Sequence, residues 1–166
     1  MKSGAKLGGV FFVEGYDKHG QKKWDDKAPN KVVNVGLQHI LDRVFTGSTV
    51  GVATWYMGLL ASTAITSTKT MGTISQATEC SNATRPAYVE ARTNQTLSNS
   101  GNKSTFTINK DATTVEGAFL ASSNDMNGTG GILMSAALFA GGTKVGDSGD
   151  KLIVTYTFVA SDDTSS

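Results

Sequence analysis

Cysteine is almost absent. Cys80 stands alone in 166 residues, so no intrachain disulfide can form and no cysteine cluster is there to hold structural zinc. Its neighbour Glu79 is a carboxylate, which raises a thiol pKa rather than lowering it, and the expected role is a small buried side chain. Histidine is nearly as scarce. His19 and His39 belong to no His-x-x-x-His or His-Glu frame, so no metal site is expected. An excess of one charge is missing too: 15 Lys and Arg face 14 Asp and Glu, a net charge of +1. A chain that grips phosphate backbones carries a basic excess or a basic face, and nucleic acid is not expected as a partner. Long apolar runs are also lacking. Leu7–Val13 contains two glycines and is closed by Glu14, too short to span a bilayer and followed by no small-residue cleavage site. Neither a membrane partner nor an export signal is expected.

What is abundant is Thr (21), Gly (19) and Ser (16), against only 2 Pro. Thr suits pleated surfaces and Gly supplies turns, so the composition is that of a β protein. The length fits one domain over 1–166: an arm at 1–7, a hairpin plus helix at 8–47, a β-sandwich at 48–160 and a polar tail at 161–166. Gly9–Gly15 reads as a strand, Tyr16–Gly20 as a turn and Gln21–Asp26 as the return strand. Asn34 is placed to cap a helix in which Leu37, Ile40, Leu41 and Val44 form one apolar stripe that packs inward, with Gly47 as the stop and His39 on its flank in an exposed or hydrogen-bonded structural role. Thr54–Leu60 is an apolar and aromatic run that fits a strand buried on both faces. Residues 61–85 read as a long excursion with weak alternation at Met71–Ile74. Strands are then expected at Tyr88–Arg92, Ser104–Asn109, Thr114–Leu120, Gly131–Phe139 and Leu152–Val159. The fold class is mainly β: an antiparallel sandwich or jelly roll with an N-terminal β-hairpin and one short helix.

No catalytic constellation is visible. The Gly-rich segments Gly128–Gly131 and Gly141–Gly142 precede and follow an apolar strand, with no helix N-terminus to receive a phosphate. Asp147–Asp150 lacks the spacing and third acid of a calcium loop and reads as a turn. Asp25 and Asp26 are adjacent on a strand, point to opposite faces and cannot share a proton. The expectation is therefore no enzyme, no catalytic residue, no metal and no cofactor. A small hydrolase whose acids, such as Glu90 and Glu116, converge from distant strands stays open as an alternative. Trp55 sits in an apolar run and reads as core. Trp24, flanked by Lys22, Lys23, Asp25 and Asp26, is either packed over the helix or held for a partner.

The blocks GVFFVEGYDKHGQKKW at Gly9–Trp24, NKVVNVGLQHILD at Asn30–Asp42 and TWYMGL at Thr54–Leu59 follow one another in an order that resembles a family of small structural proteins of tailed bacteriophages. Thr84–Tyr88, Thr105–Ile108, Gly117–Leu120, Leu138–Gly142 and Gly149–Thr157 continue the pattern, so the resemblance runs through nearly the whole chain. The family resembles capsid decoration, or cement, proteins. That resemblance implies a virion protein on the capsid exterior, made in the bacterial host cytoplasm, whose partner is the major capsid protein and which acts as a homo-oligomer. The lattice contact is expected in residues 1–27, with Lys22, Lys23 and Trp24 as the capsid-binding residues. A tail or host-recognition protein with a glycan-binding sandwich is the alternative of a different class.

Overall fold

The computed structural model describes residues 4–47 and 51–162. β1 (Ala5–Tyr16) turns back into β2 (Lys22–Pro29). The turn is tied by Asp17, whose Oδ1 accepts the amides of His19 and Gln21 at 2.9 and 2.8 Å, and Gly20 takes a φ of +82°. β3 (Lys31–Val32) leads into α1 (Asn34–Leu41), which widens into a π-helical turn, Asp42–Thr46, and ends at left-handed Gly47. β4 (Trp55–Leu60) follows, and then a long stretch without strands before β5 (Ala87–Tyr88), β6 (Ala91–Thr93) and β7 (Thr96–Ser98). The chain continues through β8 (Ser104–Thr107), β9 (Thr113–Val115), β10 (Gly117–Ala121), β11 (Leu133–Leu138), β12 (Lys144–Gly146) and β13 (Lys151–Asp162).

Two antiparallel sheets result. The first runs β2-β1-β13-β7-β6, with β8 also on β13, and the second runs β3-β11-β10-β4-β5; β12 and β9 form a small ribbon. This is the expected β-sandwich with its N-terminal hairpin and short helix. β1 and β13 pair over twelve residues, from Ala5 opposite Asp162 to Tyr16 opposite Lys151. Period-2 alternation turns Phe11, Val13, Leu152, Val154 and Tyr156 inward, where they meet Met57, Ala118 and Leu120 of the second sheet. Phe11 stacks on Tyr156 with ring centroids 4.2 Å apart. A second apolar layer, made of Leu60, Met71, Phe119, Leu133 and Ala136, is joined by Ile65 and Ile74. That layer includes residues of the 61–85 excursion, so the second sheet is buried on both sides; β10 is buried at all five positions, and β4 from Met57 to Leu60.

Several expectations are corrected. Ala5–Leu7, expected in an arm, belong to β1, and Ser161–Asp162, expected in a polar tail, belong to β13. Tyr88–Arg92 is not one strand: Tyr88 pairs in the second sheet and Ala91 in the first, so the chain crosses at Val89–Glu90. Thr114–Leu120 divides in the same way between β9 and β10. The helix lies where expected, but its packing face differs. Val33 rather than Asn34 occupies the N-cap, without a side-chain cap, and Gly36 and His39 are the buried positions. A Cβ on Gly36 would collide with the Met134 carbonyl, so the helix seats its backbone directly on β11. His39, expected on the helix flank in an exposed or hydrogen-bonded structural role, is buried and lies edge-on to Trp55 with the ring centroids 5.6 Å apart.

Candidate interaction surface

The bulge in the first hairpin decides what Lys22, Lys23 and Trp24 do. The register pairs Gly15 with Trp24 and Tyr16 with Lys22, leaving Lys23 as the extra residue. The three side chains therefore reach three different settings. Lys22 Nζ lies 2.6 Å from Asp25 Oδ2 and 3.3 Å from Glu14 Oε1, while Lys103 approaches the other Glu14 oxygen at 2.9 Å. The Lys103 hydrogen bond, aided by Lys22 against the opposing effect of burial, holds the Glu14 carboxyl below its ordinary value.

Lys23 Nζ donates to Asp150 Oδ2 at 2.8 Å. Asp150 is buried in the turn before β13, where it also accepts the Asp147 amide at 3.0 Å. Burial alone would raise its pKa, but the amide and Lys23 outweigh that and hold it low. The expected turn at Asp147–Asp150 is thus present, stitched to the hairpin by Lys23. Trp24 packs against Gly15 and Phe139, the rings 6.1 Å apart, with Lys144 Nζ over the indole at 5.6 Å. Lys144 closes on Asp26 Oδ2 at 2.7 Å, and the same oxygen accepts the Gly141 amide at 2.9 Å. Asp25 and Asp26 indeed serve opposite faces. Trp24 is a packed residue of this corner, not of the helix.

The deepest titratable groups are structural. Burial, then Glu79, pushes the Cys80 thiol up to about 11, which leaves it an unreactive thiol at neutral pH. Burial likewise raises the phenols of Tyr88 and Tyr156. Tyr88 Oη donates to the Tyr156 carbonyl at 3.2 Å, and Ser135 Oγ meets Tyr156 Oη at 3.1 Å, tying the two sheets together across the core. Glu90 is exposed on the crossing between sheets, whereas Glu116 lies beside Thr143 at 3.2 Å. Among the described residues no group of three or more His, Cys, Asp or Glu is placed to hold a metal ion, and no helix is long and apolar enough to cross a membrane.

The most unusual surface is made largely of a stripe that the sequence places inside. Of that stripe Ile40 packs against the core, but Leu37, Leu41 and Val44 point to solvent and Phe45 joins them, the last three 55, 65 and 78% exposed. Val44 and Phe45 belong to the π-helical turn, in which no residue is buried. Beside the stripe, Ile40, Trp55, Tyr88, Leu97 and Phe158 line an apolar cleft of about 220 Å³ between the two sheets. A continuous exposed apolar patch on a folded chain marks a contact surface. Periodicity detects the stripe from sequence but not its direction. Comparison with protein-family models, with curated proteins and with solved structures finds no match.

Proposed function

We propose that this chain is a virion structural protein of a tailed bacteriophage, a capsid decoration protein that binds the assembled lattice of major capsid subunits and stabilises the head. The observation that carries the reading is the outward apolar stripe Leu37, Leu41, Val44 and Phe45, an adhesive surface on a rigid sandwich. The order of sequence blocks supports it from the other side, because each block occupies a definite element: the β1–β2 hairpin, α1, β4 and β13. In this reading the protein is no enzyme and needs no cofactor; it works by mass action, since a ligand that binds only the assembled lattice shifts the equilibrium toward assembly. Homo-oligomers match the symmetry axes of such a lattice and gain avidity from it. The capsid exterior is the site of action and the bacterial host cytoplasm the place of synthesis.

Lys22, Lys23 and Trp24 each have partners within the chain, and for adhesion this reading favours the helix side, where the apolar stripe faces outward. Copy number per purified particle tests the proposal. Decoration requires on the order of hundreds of copies, whereas roughly three to a dozen would mean a tail or vertex component and would overturn it.

A further inference from the structure

β2 leaves the first sheet before β1 has ended. Its last ladder partner is Pro29 opposite Val10, and the Asn30 amide still reaches the Gly9 carbonyl at 2.9 Å. Ala5–Gly8 therefore pair only with β13, and among the described residues no strand lies on their other side. Main-chain direction follows from the ladder. The Tyr156 carbonyl and the Ala160 amide bond to Asn99 and Gln95, away from β1, so their partners Phe11 and Leu7 turn away from β13. Leu7 thus offers its N–H and C=O at an open sheet edge.

Three features converge on that edge. Ala5, Lys6, Leu7, Asn30, Lys31, Val32 and Leu37 line a groove of about 420 Å³ alongside it, continuous through Leu37 with the apolar stripe. Lys6 and Lys31 are exposed on its walls with no carboxylate against them among the described residues, unlike Lys22, Lys23, Lys103 and Lys144. Asn30, which also lines the groove, donates through Nδ2 to Tyr156 Oη, and its Oδ1 is buried with no partner among the described residues.

We infer that this edge and groove accept an extended segment of the lattice subunit by strand addition, a segment carrying an acidic side chain between apolar ones. The inference rests on the decoration reading for the identity of the partner. The guest backbone pairs with Leu7, its apolar side chains enter the groove toward Val32 and Leu37, and its carboxylate lies between Lys6 and Lys31.

Binding of the full chain to capsids lacking it, measured by co-sedimentation, tests this with two variants. Leu7→Pro removes the edge N–H while leaving the β13 ladder intact, and Lys6→Glu with Lys31→Glu reverses the charge. Each is expected to weaken binding about tenfold or more with an unchanged circular dichroism spectrum, while Lys22→Ala with Lys23→Ala binds like the unaltered chain. If the unaltered chain does not bind capsids, the decoration reading falls and this inference with it. If it binds and both variants bind equally well, the strand-addition site alone is overturned. Self-association of the unaltered chain that Leu7→Pro abolishes, with capsid binding retained, assigns the edge to a second copy and also overturns it.

Discussion

Arg85 shows how a single side chain holds the irregular part of the molecule in place. It is 2% exposed, with no carboxylate bonded to it; its guanidinium donates to the Ser123 carbonyl at 2.6 Å, the Gly128 carbonyl at 3.0 Å and Gln76 Oε1, and lies over Phe119 at 5.2 Å. Burial lowers its pKa and Asp125 opposes that, yet a guanidinium remains charged. Arg85→Leu strands the Ser123 carbonyl and Gln76 Oε1, while the Gly128 carbonyl keeps Gln76 Nε2 at 3.0 Å, and we expect a loss of about 2–4 kcal/mol in urea unfolding; Arg85→Lys recovers little, because an ammonium lacks the fork. The paired carboxylates set the response to acid. Glu14, Asp26 and Asp150 are all held below their unfolded values of 4.5, 3.8 and 3.8. Their contribution is complete above those values and is lost as pH falls through the lower folded-state values. The thermal midpoint should therefore decline progressively below about pH 4.5. Asp150→Asn, which gives up the ion pair to Lys23, should be less stable at pH 7 by about 1–2 kcal/mol and show a shallower acid limb; an unchanged limb would remove Asp150 from this account.

Elements with one dominant pattern were legible before any coordinates. The β1–β2 hairpin follows from alternation and the Asp17–Gly20 turn, β4 from an unbroken apolar run, and β13 from Leu152, Val154 and Tyr156 on one face. Elements of two or three residues were not, because Tyr88–Arg92 and Thr114–Leu120 cross between sheets midway, and β7 and β12 are too short to carry a period. The candidate surface failed for a different reason. An apolar helical stripe is conventionally assigned to the chain's own core, but α1 packs through Gly36, a position without a side chain, and so turns the stripe outward. Likewise the bulge at Lys23 leaves no trace in an alternation pattern. The helix prediction follows directly. Leu41→Ser with Phe45→Ser removes apolar surface that already faces water, so unfolding free energy should change by no more than about 0.5 kcal/mol per site, while capsid binding is lost. A large destabilisation would mean that the stripe is structural after all.

For the molecule as a whole, the long β1–β13 pairing brings the first and last described strands side by side in the middle of the first sheet. Ala5–Lys27 therefore do not form a detachable arm. Their deletion would remove β1 and most of β2, exposing Tyr156, Val154 and Leu152, so only point substitutions can separate binding from folding. In the proposed reading the same closure stiffens the contact surface, because load arriving at the Ala5–Gly8 edge passes directly into the twelve-residue pairing of β1 with β13. If the chain decorates a head as proposed, the stabilisation depends on its free concentration relative to Kd: at 100 Kd each site contributes about 2.7 kcal/mol, and sites add when they act independently. Capsids titrated with the purified chain should show a disruption temperature that climbs logarithmically with its concentration above Kd, with no plateau at full occupancy. A disruption temperature indifferent to added protein, under conditions where sedimentation shows it bound, would mean that the chain attaches equally to intact and broken lattice and reinforces neither.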